Sequence, residues 1–265
     1  MGKLVTFWSP YIGRAKVTST LCAVAGGFGI LYPDISIAIS HSVPGSMELE
    51  EKLDFRSDRK GSRAFYEKFG ISALAVNYMQ SVLTSEKIRR CGIPLFMKSL
   101  TLYPNVKEKV MDELFFYLLS EGLVKEYDVL FLDLDSGDKK DSRRLMEAAD
   151  LIVVVLPQAP AYWNDFWDKE AEWLEGKKYT IILGGYLEKS RNSLGYYTRK
   201  KKGRGDFIFA GTIPMNAGYL DAMAEGKALH FFMENQLALK KEDNYEFIHQ
   251  AKKTAENIKK SIFVS

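Results

Sequence analysis

Two cysteines in 265 residues, Cys22 and Cys91, leave no room for a disulfide framework, so a reducing compartment is expected. Cys22 falls in an apolar helical pattern, where a thiol serves as a small core residue. The three histidines, His41, His230 and His249, are scattered, and neither cysteine has one nearby in sequence. No Cys/His spacing suits a metal and no G-x-S-x-G elbow occurs, which removes the usual hydrolase constellations. No run of ~18 apolar residues is present, so no membrane-spanning helix is expected. No basic start leads into a long apolar segment, so no secretory leader is expected either. A net charge of +3 is too small to argue for nucleic acid by itself, and no fixed-period repeat is visible.

What remains is an ordinary globular composition, 46% hydrophobic and 27% charged, long enough to bury a full core. Leu4–Trp8 reads as a buried strand and Lys16–Gly29 as a helix with Val17, Leu21, Val24 and Ala25 on one face. Asp34–Ser40 suits a second strand. Val43–Gly61 is polar and charged and is expected to be a mobile loop, followed by helices at Ser62–Phe69 and Ile71–Leu83. Thr84 is placed to cap the next helix. A strand at Leu95–Leu102, a helix at Val106–Ser120, and apolar strands at Asp128–Leu134, Leu151–Leu156, Tyr179–Leu183 and Asp206–Ala210 complete the alternation. The aromatics of a helix over Ala161–Leu174 are read as packing. The alternation predicts one domain over residues 1–265: an α/β three-layer fold with a mainly parallel central sheet and helices on both faces.

In such sheets ligands bind beyond the carboxyl ends of the strands, and three informative loops fall there: Ser9–Val17, Asp133–Asp138 and Gly211–Asn216. The first has the outline of a phosphate-binding loop, a strand running through Pro10 and Gly13 into Lys16 and then hydroxyl residues opening a helix. The strict G-x-x-x-x-G-K-[ST] pattern is not met, because Pro10, Ala15 and Val17 stand at the first glycine, the second glycine and the Mg²⁺-binding hydroxyl. A strand–turn–helix without a ligand, with Lys16 a solvated residue, is the plainer alternative. Lys16 at a helix N-terminus nevertheless favours an anion beside it, with Gly13, Arg14, Ala15, Val17 and Thr18 around it. Asp133, closing an apolar strand, is the candidate anchor for Mg²⁺, with Asp135, Ser136 and Asp138 crowding the same place. A turn or helix-capping role is the alternative for each. The basic run Arg199–Arg204 offers itself to DNA or an anionic membrane surface, and the terminal helix, with Phe247, Ile248, Ala251, Ala255, Ile258 and Ile262 on one face, either packs on the sheet or lies on a membrane.

The order of motifs resembles the ParA/MinD (SIMIBI) family of P-loop ATPases across almost the whole chain. Tyr11-Ile12-Gly13-Arg14-Ala15-Lys16-Val17-Thr18 aligns with its deviant K-G-G-x-G-K-[ST]-[ST] loop as a degenerate version. Tyr127-Asp128 through Asp133 to Gly137 resembles its Y-D-x-h-h-h-D-x-x-x-G segment, and Ala149-Asp150 through Pro157 its A-D-x-h-h-h-V-x-x-P strand. Gly211-Thr-Ile-Pro214 followed by Ala222 through Gly226-Lys227 resembles its G-x-I-P…A-x-x-x-G-K tail, which would put Pro214 at the adenine. The shape is most similar to the TadZ/CpaE branch, which positions pilus and secretion machinery, here expected without the receiver-like domain often found in front.

The resemblance implies ATP or ADP with Mg²⁺ as ligands, Lys16 and Asp133 as catalytic residues if the site is active, and Thr18 with Asp133 as metal ligands. It also implies a homodimer or a family paralogue as partner, pilus, secretion or partition proteins beyond that, and a cytoplasmic location with the membrane or cell pole as a place to visit. The departures bear on turnover. The family's signature lysine falls at Tyr11, the Mg²⁺ hydroxyl at Val17, the water-positioning acid at Ser40-His41-Ser42 and the adenine asparagine at Gly184-Gly185. Phosphoryl transfer needs metal, positioned water and charge stabilisation together. The expectation is therefore a positioning or assembly factor that binds nucleotide weakly or not at all, with a working ATPase and a DNA- or membrane-surface adaptor as alternatives.

Overall fold

Apolar runs bounded by turn residues become the strands of one eight-stranded sheet. β1 (Lys3–Trp8) leads into α1 (Val17–Leu31), β2 (Ile37–His41), α2 (Glu48–Leu53), α3 (Ser62–Tyr66), α4 (Gly70–Gln80) and α5 (Ser85–Cys91). A short hairpin, β3 (Ile93–Pro94) and β4 (Leu100–Tyr103), precedes α6 (Asp112–Tyr117), which passes through a π-helical turn at Leu118–Leu123 into α7 (Val124–Glu126). Then come β5 (Val129–Asp133), α8 (Lys140–Glu147), β6 (Leu151–Pro157), α9 (Pro160–Lys169), β7 (Tyr179–Tyr186), α10 (Leu194–Lys200) and β8 (Ile208–Pro214). Three helices close the chain, α11 (Ala217–Ala224), α12 (Ala228–Asn235) and α13 (Tyr245–Phe263). This computed structural model describes residues 2–54, 62–107, 110–137, 140–200 and 207–263.

The strand order is β3-β4-β2-β5-β1-β6-β7-β8, and every neighbouring pair is parallel except β3–β4. The expected three-layer α/β architecture is the one observed. Alternate residues of β1 enter opposite cores: Val5 and Phe7 pack with α1, α12 and α13, whereas Leu4 and Trp8 pack with α4, α5 and α9. Burial on both faces explains why β5 and β6 read as unbroken apolar runs rather than alternating ones.

Three expectations need correction. The strand expected over Leu95–Leu102 is interrupted by a turn, in which the Leu100 N–H donates to the Met97 carbonyl (2.9 Å) and the Leu95 N–H to the Leu100 carbonyl (3.0 Å). The helix expected from Val106 begins at Asp112. Its forerunner is an extended stretch whose carbonyls dock other helices: Pro104 accepts from the Ile71 N–H (2.9 Å) and Val106 from the Arg63 guanidinium (2.7 Å). The segment expected to be mobile near 43–61 carries α2, which buries Leu49 and Leu53 and sets Glu50 against His41 at 3.0 Å. Residues 55–61 of it, like Asp138, Lys201–Arg204 and Asp206, lie outside the described residues.

α13 turns Phe247, Ile248, Ala251, Ala255, Ile258 and Ile262 into the core against α1 and β8, and Asn257 Nδ2 donates to the Ala210 carbonyl (2.8 Å). Its apolar face is used by the sheet, so the membrane-lying alternative for this helix fails. Among the described residues, no helix is long and apolar enough to cross a membrane.

One close approach fixes how the β1–α1 turn sits on the sheet. A Cβ on Gly184 of β7 would lie 2.2 Å from the Ala15 carbonyl oxygen and 2.8 Å from Val155 Cγ1. Backbone cannot yield as a flexible side chain does, so only glycine fits. Gly184→Ala is expected to destabilise the protein by about 2–3 kcal/mol, read as a lowered denaturant midpoint; an unchanged midpoint would show that the turn is not seated this tightly.

Candidate functional site: the β1–α1 turn and its cleft

β1 lies between β5 and β6, so its carboxyl end opens at the centre of the sheet edge. The turn that follows is laced to the β5 loop. Trp8 Nε1 donates to the Gly137 carbonyl (3.0 Å), the Gly137 N–H to the Ser9 carbonyl (2.9 Å), and the Tyr11 N–H to Ser9 Oγ (3.1 Å). The loop after β2 joins them: the Ser42 N–H donates to the Asp133 carbonyl (2.9 Å), and Ser42 Oγ accepts from the Asp135 N–H (2.8 Å). Two of the three loops singled out in the sequence therefore meet here.

The turn makes left-handed steps at Gly13 (φ 68°) and at Lys16 (φ 61°, ψ 43°). Among the described residues Lys16 is the one non-glycine residue with positive φ. A lysine there costs on the order of 1–2 kcal/mol in backbone strain. Immediately after it α1 begins at Val17 with no side-chain cap and no acid in its first turn. The leading amides of a helix have no intrahelical acceptor and carry partial positive charge. An exposed lysine on top of them repels that charge unless an anion lies between, and this is the arrangement of an anion site.

Thr18 Oγ1 donates to Asp133 Oδ2 at 2.6 Å. Asp133 is 8% exposed, and burial pushes its carboxyl up to about 7, against the Thr18 hydrogen bond and the nearby His41 and Lys52, which favour the ionised form. Of the two acids crowding this loop, Asp133 is the one directed at α1. Val17 is buried and apolar, so the hydroxyl available here is that of Thr18. The oxygen pair Thr18/Asp133 is the donor chemistry that suits Mg²⁺ shared with a phosphate. Among the described residues no group of three or more His, Cys, Asp or Glu forms a metal cluster.

A cleft of about 660 Å³ opens over these groups, lined by Lys16, Thr18, Asp133 and Ser136 and, from α2, Glu48 and Lys52. Gly13 is exposed at its mouth, Ala15 is buried beneath it, and Arg14 points outward and is not part of its lining. Tyr11 lines the cleft as well, with its hydroxyl committed to α9. That hydroxyl donates to the Tyr162 carbonyl (2.7 Å) and lies 3.1 Å from Asp165, and the Tyr11 ring packs on Tyr162 with centroids 4.7 Å apart. Burial, then Asp165, pushes that phenol well above its ordinary value. Pro214 lies in a second cavity of about 310 Å³ with Thr212, Met215, Asn216 and Phe247. A small pocket of about 20 Å³ is lined by both Lys16 and Pro214, with Gly185, Met215, Tyr219 and Met223. The third sequence loop is thus placed beside the site.

Sequence reasoning missed α2. The signals present were Leu49 and Leu53 at i,i+4 and Glu48 and Lys52 at i,i+4, embedded in a stretch that reads as a charged loop. His41, at the end of β2, was equally unassigned. Burial pushes its imidazole down, but Glu50 at 3.0 Å overcomes this and holds it above its ordinary value.

Two stability measurements test this geometry. Lys16→Gly is expected to be more stable than Lys16→Ala by about 1–2 kcal/mol, since both lose the ammonium and only glycine relieves the left-handed strain; equal unfolding midpoints would remove the strain. For Asp133, the folded carboxyl binds its proton more tightly than the unfolded one, so its contribution to stability declines as pH rises from about 4 to about 7 and is flat beyond. Asp133→Asn, compared with the unaltered protein in EDTA, should therefore gain stability progressively over that window, on the order of 2–4 kcal/mol by pH 8. A difference independent of pH would show that Asp133 titrates normally.

No protein-family model and no curated protein matches the sequence. Solved structures do. The fold is similar to that of a ParA family ATPase from Chlorobium tepidum TLS, with a TM-score of 0.69 and 14% identity over 97% of this chain and 99% of that one. It is similar to the cell division ATPase MinD of Pyrococcus furiosus, with a TM-score of 0.68 and 14% identity over 98% and 99% of the two chains. It is also similar to a putative plasmid partition protein from Borrelia burgdorferi B31 bound to AMPPNP, with a TM-score of 0.64 and 17% identity over 99% and 100%. Agreement along nearly the full length of both chains shows that this chain has the fold of the ParA/MinD ATPases.

Proposed function

We propose that this chain is a ParA/MinD-like positioning or assembly factor whose eroded phosphate loop binds nucleotide weakly and turns it over slowly or not at all. One observation carries the reading. Lys16, the open amides of α1 and the Thr18–Asp133 pair stand together at one cleft, while Tyr11 is tied to Tyr162 and Asp165 and Val17 is buried. The parts that hold a polyphosphate are present. Those that stabilise charge during transfer differ: Tyr11 stands where the resemblance expects the signature lysine, and His41 is engaged by Glu50 where it expects a water-positioning acid.

In this reading Lys16 and the amides of Gly13 and residues 15–18 would hold the phosphates, the Arg14 amide being spent on the Tyr11 carbonyl. Thr18 and Asp133 would hold Mg²⁺, which would neutralise phosphate charge. The base would use the Pro214 cavity once Met215 has moved. That a structural neighbour is described with AMPPNP bound supports a nucleotide as the ligand class. Dimerisation, a partner in pilus, secretion or partition machinery, a TadZ/CpaE-type role and a place at the membrane or cell pole belong to the same proposal, on resemblance alone. The observed core role of α13 weighs against the adaptor alternative for that helix.

Calorimetric titration with MgATP on the unaltered protein and on Lys16→Ala tests the reading, with phosphate release measured alongside. Weak saturable binding that disappears in Lys16→Ala, with release at background, is the expected result. Steady turnover abolished by Lys16→Ala would instead establish the working ATPase. Absence of any binding at millimolar MgATP would make the loop a relic.

A further inference from the structure

We propose that Lys52 of α2 is a second anion ligand of the β1–α1 cleft, contributed by the chain's own α2, which exchanges Glu48 for a polyphosphate when one binds. This rests on the phosphate-site reading above and deepens it.

The observations are geometric. Lys16 and Lys52 are the lysines that line the cleft among the described residues, and the third cationic group there, His41, is engaged by Glu50 at 3.0 Å. Lys52 is held there by the core: Leu49, about one turn before it, and Leu53, the next residue, are buried, and α2 packs against α1 and α11. The fully buried Glu50 locks the helix further through its 3.0 Å contact with His41 at the end of β2. Lys52 itself is 19% exposed, an unusual degree of burial for a lysine whose partners are weak. Those partners are Glu48 Oε1 at 2.9 Å, on a side chain 61% exposed, and the Glu48 carbonyl at 3.4 Å. An i,i+4 pair with a solvated carboxylate is worth little and is easily surrendered.

A lysine half-hidden in a cleft, with a dispensable partner and a helix N-terminus opposite, is placed for a mobile anion. The chemistry is that of a lysine acting as a point charge on phosphate oxygens, which tolerates the loose geometry a guanidinium would not. Lys52 adds a second lysine charge to the cleft that Lys16 and the N-terminus of α1 already face. The acids beside it set the balance. Glu48 and Glu51 line the same cleft, and Glu48 competes directly with the incoming anion.

Affinity of the full-length chain for MgATP and for inorganic tripolyphosphate, by calorimetry, tests this with four variants. Lys52→Ala is expected to weaken both probes about tenfold or more, comparable to loss of a charge-assisted hydrogen bond, and Lys52→Arg to recover part of the loss. Glu48→Gln is expected to tighten both, because it removes the competing carboxylate. Lys16→Ala separates the two levels of the argument. If it abolishes binding while Lys52→Ala and Glu48→Gln leave affinity unchanged, the role of Lys52 is overturned and the phosphate site stands. If the unaltered protein binds neither probe, the phosphate site falls and Lys52 with it. Should Lys52→Ala fold poorly, Lys52→Gln, which keeps most of the apolar stem, takes its place: a loss of about tenfold supports the role and unchanged affinity overturns it.

Discussion

The turn between β1 and α1 is gripped from two sides, and the arrangement of the carboxyl edge follows from that grip. On one side Thr18 binds the buried carboxyl of Asp133 on β5; on the other the Ala15 carbonyl rests against Gly184 on β7. Parallel strands make this possible, because they bring the ends of β5, β1, β6 and β7 to one edge, where loops from distant parts of the chain share hydrogen-bond partners. Held this tightly, the turn has little room to choose its dihedrals. The left-handed step falls on Lys16, whose strain is maintained by contacts on either side, a pattern associated with functional loops.

Electrostatics in the cleft run in two directions. The open amides of α1, Lys16 and Lys52 favour an anion; Glu48, Glu51, Asp133 and Asp135 oppose one. Burial lessens the opposition, since the Asp133 carboxyl, pushed up to about 7, is partly neutral near that pH. On the proposed reading these opposing charges would let the cleft admit phosphate without holding it strongly, with α2 rather than the loop setting the balance.

Much of this was legible in the sequence. Unbroken apolar runs at Val129–Asp133 and Leu151–Pro157 have one physical meaning, burial on both faces of a parallel sheet, and their alternation with helices gives the architecture. Lys16 and Asp133 were legible because a lysine at a helix start and an acid ending an apolar strand are each unfavourable without a partner. α2 was not legible: six residues with four charges lack the length for periodicity to speak, and its position depends on the long-range contact between His41 and Glu50. The stretch from Val106 was misjudged for a related reason, its carbonyls being committed to Arg63 and to α4 rather than to a helix of its own. Local pattern reports local energetics, and both errors arose where tertiary partners decide.

The seating of the turn on β7 also sets the order in which substitutions can be accepted. Any side chain at position 184 requires the Ala15 carbonyl to be elsewhere first, because a Cβ there would lie 2.2 Å from that oxygen. A side chain at position 184 can therefore follow a rearrangement of the turn but cannot precede it. Exposed positions of α2, such as Glu48, meet no such condition and are freer to vary.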